Sequence, residues 1–92
     1  MPSSDAYAAV RQAVIDWLDD NYHFGDAAKL IKGDELSFLD NGVLDSLGFV
    51  QLCLFLEKTY RFKIDRKSLS RENFDSLGKI VRYTIGHKDY RG

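Results

Sequence analysis

Very little in this chain is extreme, and each shortage excludes something. There is one cysteine, Cys53, so no internal disulfide can form and nothing demands an oxidising compartment. Neither sign of charge is in excess: 13 basic and 14 acidic side chains leave a formal net charge of -1. That balance gives no electrostatic footprint for nucleic acid, which needs a clustered surplus of Lys and Arg. The basic groups that cluster at all, Arg61 with Lys63, Arg66 with Lys67, and Arg82, read as a solvated face. Long apolar runs are missing too. The longest, Leu52 to Leu56, is far too short to span a bilayer. Met1 to Asp5 is polar and lacks the basic and apolar parts of a signal peptide, so the expected location is cytoplasmic. No strand pattern competes strongly.

What remains is an ordinary globular mixture, 45% hydrophobic and 29% charged over 92 residues, which predicts one domain spanning 1–92 with a small core. The spacing of Tyr7, Val10, Val14, Trp17 and Leu18 predicts a helix over 4–21, with Ser3 or Ser4 as its cap and Gly25 beyond its end. A long connection, 22–44, carries turn signals at Gly33-Asp34 and Asn41-Gly42. Connections of that length are often functional. Leu30, Ile31, Leu36, Phe38 and Leu39 are expected to pin it to the core through a short helical turn.

The second helix is the clearest element. Asp45 is its natural cap, Ser46 to Tyr60 contains no proline, and Leu44 and Phe49 are placed for a hydrophobic staple. Leu47, Phe49, Val50, Leu52, Cys53, Leu54, Phe55 and Leu56 make it apolar over most of its surface. Such a helix either sits centrally in a bundle or turns one face to a partner. One or two helical turns are expected within 66–73. A last helix follows Asp75 to about Gly86, with some of its apolar residues exposed, and the region around Tyr90 reads as a frayed tail.

The tetrapeptide Asp-Ser-Leu-Gly occurs twice, at Asp45 to Gly48 and Asp75 to Gly78. Both copies fit a helix start with Asp as the cap and Ser in the first turn. Only the first follows the loop Ser37 to Leu44 and opens an over-apolar helix that ends in Leu-Glu, an aromatic and Ile64. In that setting the run from Phe38 to Ile64 resembles acyl and peptidyl carrier proteins, and the lengths of the flanking helices and loop extend the resemblance over essentially the whole chain.

The resemblance implies an all-α four-helix bundle with a long first connection and a short third helix. It implies that Ser46 receives 4'-phosphopantetheine from coenzyme A through a separate phosphopantetheinyl transferase, which also reads Asp45. The arm's thiol would hold an acyl or aminoacyl group as a thioester. A loading ligase and a downstream acyltransferase or synthase would read Leu47, Val50, Gln51 and Leu54, while Leu52, Leu56 and Tyr60 would face the core near Trp17 and Phe62. The chain would be a monomer and not an enzyme. Gly48 and Gln51 stand where fatty-acid carriers place acidic residues, and only Glu57 is acidic after Asp45. This is more reminiscent of D-alanyl and stand-alone peptidyl or aminoacyl carriers, and points away from bulk fatty-acid synthesis.

The rival reading is an unmodified helical interaction domain that docks through the apolar helix and uses Ser46 as a plain cap. A hydrolase is disfavoured, because His23 and His87 lie in no nucleophile motif and read as solvated surface groups. A metal site is disfavoured because His23, Cys53 and His87 lack ligand spacing. Cys53 itself reads as a small buried hydrophobe or as a group close to the docking face.

Overall fold

The computed structural model describes residues 4–23 and 25–90, and the expected cap Ser3 lies outside them. Helix α1 spans Ser4–Leu18. Val10, Val14 and Leu18 fall four apart on one face, so all three are fully buried. The helix runs on into a wider π-helical turn, Asp19–His23, whose Asn21 amide donates to the Trp17 carbonyl at 2.8 Å. Gly25 then reverses the chain with φ of 100°, a region that side chains other than glycine's rarely adopt.

The long connection is built rather than loose. It contains a short helix, α2, at Ala27–Leu30, whose first N–H is received by the Asp19 carboxylate at 2.8 Å. Ile31 and Phe38 are buried, and Leu36 packs half-buried on the core. Leu30 departs from expectation: it is 43% exposed, because α2 is a single turn and turns its last residue outward.

Helix α3 covers Ser46–Tyr60 with Asp45 as its cap, as the sequence predicts. A brief 3₁₀ turn at Arg66–Ser68 and helix α4 at Arg71–Phe74 supply the short third helix of the bundle. Helix α5 is Leu77–Gly86. Helix α1 packs along α5, and α4 packs against α5. Helices α1, α3, α4 and α5 form the expected all-α bundle, with α2 an extra turn in the first connection, and no strand occurs among the described residues. The buried side chains make one contiguous cluster to which every one of these helices contributes. Trp17 stacks on Phe55 at 5.7 Å and joins α1 to α3.

Further expectations are corrected near the C-terminus. In the second Asp-Ser-Leu-Gly the cap is Ser76, whose hydroxyl accepts the Lys79 N–H at 3.2 Å, and not Asp75. Asp75 is instead buried and committed to the first connection. Tyr90 is not frayed: its ring lies 5.5 Å from that of Tyr60 and its N–H donates to the His87 carbonyl at 3.0 Å. His87 is half-exposed, yet its ring and both ring nitrogens are engaged rather than idle. Its ring meets Phe62 edge-on at 4.5 Å, one ring nitrogen bonds the Lys63 carbonyl at 3.0 Å, and the other accepts the Asp89 N–H at 3.0 Å. The side chain of His23 lies outside the described residues. The last helix also leaves none of its large apolar residues fully exposed, since Tyr83 and Ile85 are half-buried and Leu77, Ile80 and Val81 are buried.

Candidate functional site

The start of α3 is fixed from both sides of Ser46. Asp45 adopts an extended backbone, φ −95° and ψ −176°, and its Oδ1 accepts the Gly48 N–H at 2.7 Å. This satisfies one of the four donors that a helix leaves unpaired at its N-terminus. Gly48 is small for a reason, since a Cβ there would come within 2.8 Å of the Leu44 side chain and 3.2 Å of the cap carboxylate. Ser46 is the first helical residue and is exposed. Its hydroxyl engages no partner among the described residues.

The loop before it is tied to the far end of the chain. The Phe38 N–H donates to the Asp75 carbonyl at 2.8 Å, the Leu39 N–H to Asp75 Oδ1 at 2.9 Å, and the Ser37 hydroxyl to Asp75 Oδ2 at 2.7 Å. Arg71 completes the cluster, reaching Asp75 Oδ2 at 2.8 Å and Asp40 Oδ1 at 3.0 Å. Burial would push the Asp75 carboxyl up, but the Leu39 N–H, the Ser37 hydroxyl and the Arg71 guanidinium outweigh it and hold the group below the ordinary carboxylate range. Turns at Gly42, with φ of 70°, and a Val43 N–H bond to the Phe38 carbonyl at 2.9 Å then deliver the chain to Asp45. The ties from Ser37 and Leu39 to Asp75 and Arg71 are not legible in the sequence, because their partners lie more than thirty residues apart and no local pattern links them.

The face of α3 below Ser46 is apolar and open. Leu47 is 66% exposed, Val50 53% and Leu54 58%, and Gln51 stands beside them, bonded to the Tyr22 hydroxyl. Leu52, Cys53 and Leu56 point the other way and are buried, whereas Tyr60 is half-buried against Phe62. The division expected along this helix therefore holds in the structure. No acidic residue lies on α3 between Asp45 and Glu57, and the Glu57 carboxylate is taken by the Ile64 N–H at 2.8 Å. The exposed Lys58 and Arg61 follow at the far end. Leu69, 47% exposed, extends the apolar patch from the segment before α4. The lone leucine in an otherwise polar stretch, Arg66 to Asn73, was its only sequence signal.

Two depressions meet at Ser46. One, of about 230 Å³, runs between α3 and α4 over Phe49, Val50, Cys53, Leu69 and Phe74. The other, of about 460 Å³, lies between Tyr22 and the chain from Gly42 to Asp45. Cys53 forms part of the first, and burial, followed by the charge of Glu57, pushes its thiol up to about 11. It is therefore protonated and inert at neutral pH. Among the described residues, no group of His, Cys, Asp and Glu side chains is arranged to hold a metal ion, and no helix is long and apolar enough to cross a membrane.

No family model matches the chain, and no solved structure matches it. Curated proteins do. It is 32% identical over 74 residues to the D-alanyl carrier proteins of Streptococcus pyogenes serotype M5 (strain Manfredo) and serotype M49 (strain NZ131), and the alignment covers 80% of this chain and 89% of each relative. With that identity along most of both sequences, the chain belongs to the carrier-protein family of which the D-alanyl carrier proteins are members.

Proposed function

We propose that this carrier protein holds its cargo on a 4'-phosphopantetheine arm joined to Ser46. The observation that carries the assignment is the contrast between the two Asp-Ser-Leu-Gly copies. Ser46 offers an exposed, unengaged hydroxyl, whereas Ser76 is 1% exposed and committed to the Lys79 N–H. The position also suits the phosphodiester. A phosphate on the first residue of a 15-residue helix lies beside unpaired N–H groups and the positive end of the helix dipole. Carrier proteins are not enzymes, so the chain needs no base beside Ser46. A phosphopantetheinyl transferase would supply the catalysis, joining the serine oxygen to the arm's phosphate and releasing the nucleotide part of coenzyme A.

The arm would end in a thiol that holds a carboxyl group as a thioester. Its cargo is a small aminoacyl group of the D-alanyl type, a reading supported by the names of the relatives and by an α3 without the acidic side chains of fatty-acid carriers. A loading ligase and a downstream acyltransferase would read Leu47, Val50, Gln51 and Leu54, with Asp45 both capping the helix and marking the site for the transferase. The setting proposed is the cytoplasm.

Intact mass before and after incubation with coenzyme A, magnesium and a broad-specificity transferase tests the assignment. One phosphopantetheine should be gained by wild type and by Ser76→Ala but not by Ser46→Ala. No gain in wild type would leave an unmodified interaction domain as the better account.

A further inference from the structure

Ser46 borders two grooves of different chemistry, and an arm attached there must either choose between them or stay in solvent. The groove between α3 and α4 is the smaller, and its lining is mainly apolar: Phe49, Val50, Cys53, Leu69 and Phe74. The charged group at its rim, Arg71, is already spent on Asp40 and Asp75. A pantetheine chain carries two amides and a hydroxyl. Laid in that groove it would lose water from these groups and find few partners beyond the Ser70 hydroxyl, which is unfavourable.

The other groove is about 460 Å³ against about 230 Å³ and has mixed walls. The Tyr22 ring, held over Gln51 by its hydroxyl and packed 5.5 Å from Trp17, forms one side. Gly42, where an added Cβ would meet nothing within 4 Å, leaves the opposite rim open. At the Ser46 end the Asp45 carboxylate keeps Oδ2 unbonded among the described residues, because its cap bond uses Oδ1. An amide N–H of the arm would find an acceptor there, and the arm's gem-dimethyl group would find the Tyr22 ring. The covalent tether raises the local concentration to the millimolar range, so weak contacts suffice.

We propose that the groove between Tyr22 and the Gly42–Asp45 segment is the resting site of the pantetheine arm and its small polar cargo, and that the α3–α4 groove is not. This rests on the assignment of Ser46 as the attachment point. In the resting state the arm turns away from Val50 and Leu69 and leaves the apolar patch clear for an enzyme.

The test uses the full chain, primed on Ser46 and labelled with one nitroxide at the arm thiol, with both additions confirmed by mass. Paramagnetic loss of amide signal is then read residue by residue. Greater loss at Tyr22 and Gly42 than at Leu69 and Phe74 is the expected result. Greater loss at Leu69 and Phe74, or equal loss at all four, overturns the proposed resting site while leaving Ser46 as the attachment point. Absence of the priming mass gain overturns the Ser46 assignment and the resting site with it.

Discussion

Asp75 Oδ1 receives the backbone N–H of Leu39 at 2.9 Å, across 36 residues of sequence, and so fastens the loop that leads to Ser46 onto the turn between α4 and α5. A carboxylate in this position works only when ionised, because it serves as acceptor to Leu39, Ser37 and Arg71 together.

Acid should therefore loosen the protein through this group. The folded Asp75 carboxyl titrates below its unfolded value of about 3.9, so its stabilisation is fully present above that pH and is lost as pH falls through the folded value. Asp34 acts in the same sense. Burial opposes its ionisation, but bonds from Tyr7 and Arg11 lower its carboxyl overall. Asp75→Asn should cost about 2 kcal/mol at pH 7 and flatten the fall in stability below pH ~4. Urea midpoints from pH 7 to pH 3 check both effects, and an unchanged pH slope in the variant would contradict the role given to Asp75.

The paired serines should separate stability from loading. Ser46→Ala should change stability by less than about 0.5 kcal/mol, because an exposed hydroxyl without partners is removed. Ser76→Ala should cost about 1 kcal/mol, the usual loss on deleting a helix cap, and still accept the arm. Thermal melts of the two variants, set beside their masses after priming, read both quantities.

Along α3, position decides the consequence of a charge. Val50→Asp and Leu54→Asp place a carboxylate on an exposed face and should cost no more than about 1 kcal/mol. If this face is the docking surface proposed above, they should nevertheless slow transfer of cargo to partner enzymes. Leu52→Asp puts the same group where nothing is exposed and should unfold the chain. Circular dichroism melts beside loading rates check the division, and equal loss of stability at all three positions would refute it.

Cys53 should be silent toward alkylating reagents. With its thiol pushed up to about 11, only about a thousandth is thiolate at pH 8, and the group is buried. Iodoacetamide should label a primed chain once, on the arm, and an unprimed chain only after denaturation. Peptide mapping after a timed reaction distinguishes the two thiols.

The parts of this architecture that depend on neighbours in sequence were readable in advance. Asp45, the absence of proline from Ser46 to Tyr60 and the spacing of Leu52 and Leu56 against Leu47, Val50 and Leu54 set the bounds of α3 and its two faces. What could not be read depends on partners far away along the chain. Identical tetrapeptides start α3 and α5 one residue out of step, because Asp75 is drawn into bonds with Ser37 and Leu39 and the cap falls to Ser76. Gly78 is fixed by a similar distant contact. Its N–H meets the Asp34 carbonyl at 2.7 Å, and a Cβ there would run into Glu35. Tyr90 and His87 have no role legible in the sequence and gain theirs from Tyr60, Phe62 and Lys63.

The fastening of the first connection also has a consequence for the order in which the protein is made. Synthesis proceeds from the N-terminus, so Ser46 leaves the ribosome before the residues that hold its loop in place. Asp34 and Glu35 wait for Gly78 and Arg82, and Phe38 and Leu39 wait for Asp75. A nascent or truncated chain that already displays the serine keeps only the local bonds of the connection, such as the Val43 N–H to the Phe38 carbonyl, and lacks the ties to the last part of the chain. On the proposed assignment of Ser46, a chain cut before Asp75 should therefore be primed more slowly than the finished one, because the ties that hold its loop are missing.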